Sequence, residues 1–600
     1  MVQNGVYCPQ HISCGIEQMP KPSKIVRFGA FEANLETGEL RKQGLKLRLP
    51  EQAFQILAML LERPGEVVGR EELRHRLWPG QTFFDSDHGI NKAVNRLREA
   101  LNDSAATPRF IETLARRGYR LIAPVSTAES SYVDIPGDPG RVRLAVLPFE
   151  NLNGDPEHEF FSDGLTEEMI SELGRLNPSR LGVIARTSSM QYKRTEKRID
   201  EIGKELEVEY ILEGSVRRAE SRARITAQLI QVRDQTHLWA ESYNRELADV
   251  LQVQHEVAQR VAATLAVELL AKASRYARPV SPEAYEAYLR GRFFWNQGTD
   301  RAATTAIEWF ERALEQDPKY ALAYSGIADC YGRLAWYGAL PPREASPKAK
   351  LAATRALEID GRLGEAHASM ALVRFWYEWN WSEAEHEFQR AIDLSPNYAP
   401  AHNWYAAYLN AMQRFDQAAA EQKIAQELDP LSLTIAMNAA DPYYFSRRYS
   451  LAMKHLERVL QREPNFFPAH YNLGKTYALA GKYQEAIAAF ETAVRLSGVP
   501  GANTALGYAY ARAGQVDQAQ IIQKQAEELA IDHYIPAPQL VLSSLGLGEK
   551  SKALTQLEKG FEERSYLMIY LKADPIYDSL RSDPAFMNLL ERMNFQVRWS

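Results

Sequence analysis

The alternation of apolar and polar positions divides the chain into three regions. Over Lys24–Leu49 the pattern has period two, broken at Glu36–Gly38 and Gln43-Gly44, which predicts a small antiparallel sheet. Helical spacing then takes over. Phe54, Leu57, Leu60 and Leu61 share one face of a helix over Pro50–Glu62, and a short second helix spans Arg70–Trp78. A third, Asp87–Leu101, gathers Ile90, Val94, Leu97 and Leu101 into a single stripe. Arg109–Thr113 and Gly118–Ile122 form a hairpin around Leu114–Arg117. The segment Ser126–Gly140, rich in Ser, Pro, Asp and Gly, has little to bury and predicts a linker. Strands over Arg143–Phe149 and Leu181–Arg186 follow, with helices over Ser162–Leu173 and Asp200–Leu206. A hairpin (Tyr210–Arg217 with Arg224–Val232), a strand (His237–Tyr243) and a helix (Val250–Leu270) complete an α/β domain.

From Pro282 onward the pattern repeats. Ala486, Phe490 and Ala493 are followed by Gly498, and the same spacing recurs from Ala306, Ala349, Ala384, Ala418, Ala452, Ala519 and Ala553, mostly at intervals of 33 to 35 residues. Two helices that cross closely need a small residue at the crossing and a large apolar one a turn away. Pro or a turn then ends the second helix. Leu473-Gly474 with Tyr477, and Leu506-Gly507 with Tyr510, add a second signature. These residues resemble the tetratricopeptide repeat family over Pro282–Leu571, in about eight units. Gly338–Pro347 reads as a loop insertion, and residues 572–600 as a cap on the stack. The expected architecture is multidomain. A leader (1–23), expected to be disordered, precedes an α+β domain (24–125), a linker (126–140), an α/β domain (141–271) and an all-α solenoid with its cap.

Charge refines this picture. The net charge of −6 divides into +4 over residues 24–125 and −10 over 126–600, a basic head on an acidic body. No run approaches 18 apolar residues and Met1–Lys24 lacks a secretory pattern, so no membrane partner is expected. Three cysteines are too few for a disulfide framework and point to a reducing, cytoplasmic setting. Cys8, His11 and Cys14 fall in the leader, and neither a metal site nor a cofactor is expected.

In the head, Pro64–Val68, Arg70–Leu73, Leu77-Trp78, Val94–Arg98 ahead of Leu101, Ile111–Thr113 and Arg117–Arg120 occur in a set order. Together they resemble the OmpR/PhoB-type transcriptional effector domain, a winged helix, over its whole length. Opposite the apolar stripe of the third helix project His88, Lys92 and Asn95, flanked by Asn91 and Arg96. Lys, Asn and Arg pair with guanine and adenine edges in the major groove, although any helix needs a solvated face. The resemblance favours DNA. Arg98, at the edge of the stripe, ties the helix to its own domain, and Glu99 lies beyond the contact. Arg116 and Arg117 at the wing tip suit a minor groove, and Thr113 and Tyr119 suit phosphate. Ala115 departs from the family, which often has a basic residue there. The resemblance implies double-stranded DNA as partner and head-to-tail pairing on half-sites about 10 base pairs apart. Only 23 residues precede the head, leaving no room for a receiver domain, so a one-component regulator is expected.

In the middle region, VLPFENL, FFSDGLTEEM, ARTSS, LEGSVRR and HLWAESYNREL resemble the TolB amino-terminal-like domain. Asp163-Gly164 and Arg186-Thr187-Ser188 could line a pocket for an anion at a helix start, but turn and capping roles are the favoured reading. His-Glu pairs begin at 158, 255 and 386, but Ser162, Gln259 and Arg390 stand where a zinc-protease helix needs a second His. No enzyme is expected. The leading reading is a cytoplasmic, sequence-specific DNA-binding transcriptional regulator whose repeats take a protein, peptide or small-molecule effector. The alternative is a tetratricopeptide scaffold whose winged helix docks protein.

Overall fold

A computed structural model describes residues 25–127 and 141–596 except for short stretches, the longest being 78–85, 104–107 and 266–279. The chain forms two units, Met1–Asp138 and Pro139–Ser600. The leader with its two cysteines lies outside the described residues.

In the first unit, β1 (Ile25–Phe28), β2 (Phe31–Asn34), β3 (Glu39–Lys42) and β4 (Leu45–Leu47) form an antiparallel meander. Helices α1 (Glu51–Glu62), α2 (Arg70–Leu77) and α3 (Ser86–Leu101) follow, with β5 (Val67–Gly69) between the first two. The wing is β6 (Ile111–Leu114) and β7 (Gly118–Leu121), and β7 also pairs with β5. Gly118 is required by that pairing, because a Cβ there would lie 2.0 Å from the Val68 carbonyl oxygen. A last strand, β8 (Val125–Thr127), pairs with β1. Ser126 and Thr127, assigned to the linker for their polarity, therefore belong to the sheet, since an edge strand bonds through its backbone whatever its side chains. Ile56, Leu57 and Leu60 of α1 and Ile90, Val94, Leu97 and Leu101 of α3 are all buried, so the α3 stripe is the core face.

The second unit begins with a sheet of β9 (Val142–Val146), β10 (Glu150–Asn151), β11 (Leu181–Val183), β12 (Tyr210–Ala219), β13 (Arg222–Gln231) and β14 (Thr236–Glu246). Its order is β11-β9-β12-β13-β14, with β10 beside β12. β9 lies parallel to both neighbours, and β12 to β14 are antiparallel. Helices α4 (Glu159–Leu176), α5 (Arg186–Ser189), α6 (Ile199–Leu206) and α7 (Val250–Thr264) accompany the sheet. The second strand is shorter than its sequence suggests because Arg186 already starts α5.

Eight helix pairs follow among the described residues. They are α8 (Pro282–Trp295) with α9 (Asp300–Gln316), α10 (Ala321–Trp336) with α11 (Pro342–Ile359), and α12 (Gly364–Val373) with α13 (Trp381–Leu394). Next come α14 (Ala399–Ala411) with α15 (Phe415–Leu428), and a split first helix, α16 (Leu433–Asn438) and α17 (Asp441–Phe445), with α18 (Tyr449–Arg462). The last three are α19 (Phe467–Leu479) with α20 (Tyr483–Ser497), α21 (Pro500–Arg512) with α22 (Val516–Asp532), and α23 (Ala537–Gly546) with α24 (Lys550–Glu563). All eight leading alanines are buried, from Ala306 to Ala553, and so are Phe310, Phe388 and Phe490 beside them. The pairing of small with large is literal. A Cβ on Gly474 would lie 2.8 Å from the Phe490 ring. The insertion expected as a loop instead starts α11 at Pro342 and continues through Pro347. Proline at the first helical position sets its own φ and gives up only an amide that would have no partner.

The cap departs from expectation too. Asp574 caps a short turn, Pro575–Leu580, and Asp583 caps α25 (Pro584–Arg592). Rather than closing only the last repeat, the cap turns back along the array. Trp381 Nε1 donates to the Met593 carbonyl at 2.9 Å, Trp381 stacks on Phe595, and the Tyr444 hydroxyl donates to Asp574 at 2.8 Å. Ile576, Leu580 and Phe586 share a core with Leu372, Phe375 and Trp379.

Candidate nucleic-acid interface and body cavity

The apolar stripe of α3 fixes which residues face outward. Asn91, Lys92, Asn95 and Arg96 are exposed. His88 lies in the first turn of α3, and its side chain is outside the described residues. On the wing Thr113 and Arg117 are exposed, while Ala115 and Arg116 are outside the described residues.

Two of the assignments need correction. Tyr119 is only 2% exposed, and its hydroxyl donates to Asn91 Oδ1 at 2.7 Å. Arg70, at the start of α2, donates to that same oxygen at 3.0 Å and to the Tyr119 hydroxyl at 3.1 Å. Tyr119 is thus an internal strut between wing and helix rather than a phosphate donor. Asn91 cannot pair bidentately with adenine, because that pairing needs its amide oxygen. Nothing in the local sequence signals this triad, whose members are 21 to 49 residues apart. Arg98 behaves as read. It is buried and donates to the Ile111 carbonyl at 2.7 Å and to Thr113 Oγ1 at 2.8 Å. With its oxygen occupied as acceptor, the Thr113 hydroxyl keeps its proton for an outside acceptor.

In the body, the middle domain is seated against the first helices of the repeats. A Cβ on Gly164 would lie 2.6 Å from Leu289 Cδ2, so this glycine lets α4 and α8 approach and does not line an anion pocket. Asp163 pairs with Lys193 at 2.6 Å. Asn397 Nδ2 donates to the Gly174 and Leu181 carbonyls, Arg175 pairs with Glu365 at 2.9 Å, and Arg218 pairs with Glu286 at 2.7 Å. Ala185 N donates to the Leu428 carbonyl at 2.7 Å. One core runs unbroken from Leu144 of the sheet to Phe310 and Cys330 of the repeats.

Between these elements lies a cavity of about 160 Å³. Arg186 and Thr187 line it, where the sequence favoured turn and capping roles, while Ser188 stands outside the lining and donates to Asp429 within it. Opposite stand Tyr288, Arg292 and Trp295 of α8, Asp329 of α10 and Glu365 of α12. Glu167 is bonded by Arg292 and by Asn296 (2.9 Å), and Arg186 Nε lies 3.3 Å away. Burial opposes its charge, but the two guanidiniums hold its carboxyl below the usual range. Its neighbour Glu168 accepts, among the described residues, only the Tyr288 hydroxyl, at 3.1 Å. Burial and the charge of Glu167 push Glu168 up to about 7. Two adjacent carboxylates between the apolar positions Leu165 and Met169, both buried, were the signal available in FFSDGLTEEM.

Three family models match the chain. Residues 44–121 match the C-terminal domain of transcriptional regulatory proteins, residues 140–260 the second domain of HilA/YgeH-like transcriptional regulators, and residues 437–502 the tetratricopeptide repeat. The head is a winged helix of the OmpR/PhoB type. Further along the chain come a HilA-like regulator domain and C-terminal tetratricopeptide repeats. The transcriptional regulator HilA of Salmonella typhimurium is 24% identical over 419 residues, 69% of this chain and 72% of HilA. The cholera toxin transcriptional activator of Vibrio cholerae is 39% identical over 83 residues, 14% of this chain and 28% of that protein. A Rhizobium meliloti protein named as an adenylate cyclase is 39% identical over 256 residues, 41% of this chain. The chain spans 42% of the length of that cyclase-named relative. Among the described residues no helix is long and apolar enough to cross a membrane.

Proposed function

We propose that this protein is a cytoplasmic transcriptional regulator that binds double-stranded DNA through α3 and senses an effector through its body. The observation that carries the reading is the outward face of α3, where Lys92, Asn95 and Arg96 stand exposed on a helix whose other side is fully buried. Asn95 and Arg96 read base edges in the major groove. Lys92, Thr113 and Arg117 fix the register on phosphate or in the adjoining minor groove, a task the sequence also assigns to His88 and Arg116. Catalysis is not part of this reading. The cyclase name belongs to a relative more than half of whose length lies outside the match.

Replacing Asn95 with Ala should weaken binding to the preferred site by about 1–3 kcal/mol and leave binding to random duplex nearly unchanged. Gel-shift titrations on both duplexes measure this, and equal losses on the two would reduce Asn95 to a backbone contact. Affinity for DNA should also fall at least about tenfold between roughly 50 and 200 mM salt. A winged helix that docks protein would show no duplex binding at either salt.

A further inference from the structure

Several first helices of the repeats are covered by the chain itself. Tyr288 and Arg292 of α8 meet α4, and Tyr444 and Lys475 of α17 and α19 meet Asp574 of the cap. What stays open between the middle domain and the repeats is the cavity of about 160 Å³, close to the roughly 150 Å³ that admits a benzene ring in an apolar interior. That is room for a small molecule, not for a peptide.

The walls specify its chemistry. Glu168 offers a carboxyl with one oxygen unpartnered among the described residues. Arg186 approaches Glu167 with Nε and leaves its terminal nitrogens unpartnered among those residues. One open anionic acceptor and one open cationic donor thus line the same small space, and a molecule with an ammonium and a carboxylate answers both. The remaining charges add a preference. Five carboxyls line the cavity, those of Glu167, Glu168, Asp329, Glu365 and Asp429, against three guanidiniums, those of Arg175, Arg186 and Arg292. A guest with one extra positive charge offsets part of that surplus. Trp295 Nε1 and Glu365 Oε2, also in the walls, are buried with no hydrogen-bond partner, so the polar lining is incomplete as it stands.

We propose that this cavity binds a free amino acid with a cationic side chain, its carboxylate on Arg186 and an ammonium on Glu168. The inference rests on the body being the sensing unit and names the class of effector. Glu168, pushed up to about 7, gives the binding a signature, because a proton held at pH 6.5 must leave when the ammonium arrives.

The test is calorimetry of the full chain with L-ornithine, L-norvaline and L-glutamate, which differ chiefly in side-chain charge. Ornithine should bind at least about tenfold tighter than norvaline, and glutamate weakest. The heat at pH 6.5 should change with the ionisation enthalpy of the buffer. Glu168→Gln, which can still accept from Tyr288, should weaken ornithine about 10- to 100-fold, the scale of a hydrogen bond to a charged group. If that variant does not fold, the buffer dependence of the unaltered chain decides. No ornithine binding, no preference over norvaline, or no proton release would overturn the proposal. DNA affinity measured on the same preparations separates the two readings. DNA binding without ornithine binding sinks the cavity assignment alone, and no DNA binding sinks the regulator reading.

Discussion

Replacing Phe388 with Ala should lower the unfolding free energy of the body by about 3–5 kcal/mol, the range for emptying a buried aromatic site. Phe388 is fully buried on α13. Its ring meets Phe375 at 6.2 Å, Tyr408 at 6.0 Å and Tyr405 at 5.8 Å, so its loss opens a void shared by the third and fourth repeats. The site cannot collapse easily, because the small residues around it, Ala384 and Ala391, are backbone-close and already buried. Repeats are stabilised largely by their neighbours, so the void weakens more than one unit. Ile521→Ala is the control. That side chain is 57% exposed and its truncation should stay within about 0.5 kcal/mol. Denaturant midpoints followed by helix signal give both values. Comparable shifts in the two variants would mean that the 34-residue pattern does not mark the core.

That experiment bears on what the sequence made legible. The repeats announce themselves because their chemistry is local. Ala384, Phe388 and Ala391 sit within two turns of one helix, and periodicity multiplies a modest signal eightfold. The core face of α3 was readable for the same reason. What escaped is what joins distant segments. Arg70, Asn91 and Tyr119 each look like surface polar residues until the fold brings them within 3.1 Å. Arg175 and Glu365, 190 residues apart, read separately as solvated helix charges, yet they help fix the middle domain to the array. The cap was legible as short turns after Asp574 and Asp583, but its return to Trp381 joins segments 212 residues apart, which no local pattern encodes. The cavity carries the same lesson. Arg186 and Thr187 were recognisable candidates, while their counterparts on α8, α10 and α12 were not.

Asp329→Asn should stabilise the body at pH 8 and change little at pH 4. The Asp329 side chain is 6% exposed. It accepts from the Ser369 hydroxyl and lies 3.9 Å from Arg292, a guanidinium already committed to Glu167. Burial dominates this balance and pushes the carboxyl up from 3.8 to about 6, while Arg292, Ser369 and Arg333 pull it down and Glu365 adds to the rise. A carboxyl whose pKa is raised by folding contributes stability that is fully present below its unfolded value and is lost as pH rises through the folded one. The loss therefore falls between about pH 4 and 7 and amounts to roughly 3 kcal/mol, at about 1.36 kcal/mol per unit. Asparagine keeps the shape and the acceptor for Ser369 without the charge, so the variant should recover most of that amount at pH 8. Glu167 works in the opposite sense, since its paired carboxyl is held low, and the total pH profile mixes the two. The difference between variant and parent isolates Asp329. Equal stability at both pH values, or a variant weaker at pH 8, would show that Arg292 carries the Asp329 charge in full and that the carboxyl surplus around the cavity is smaller by one.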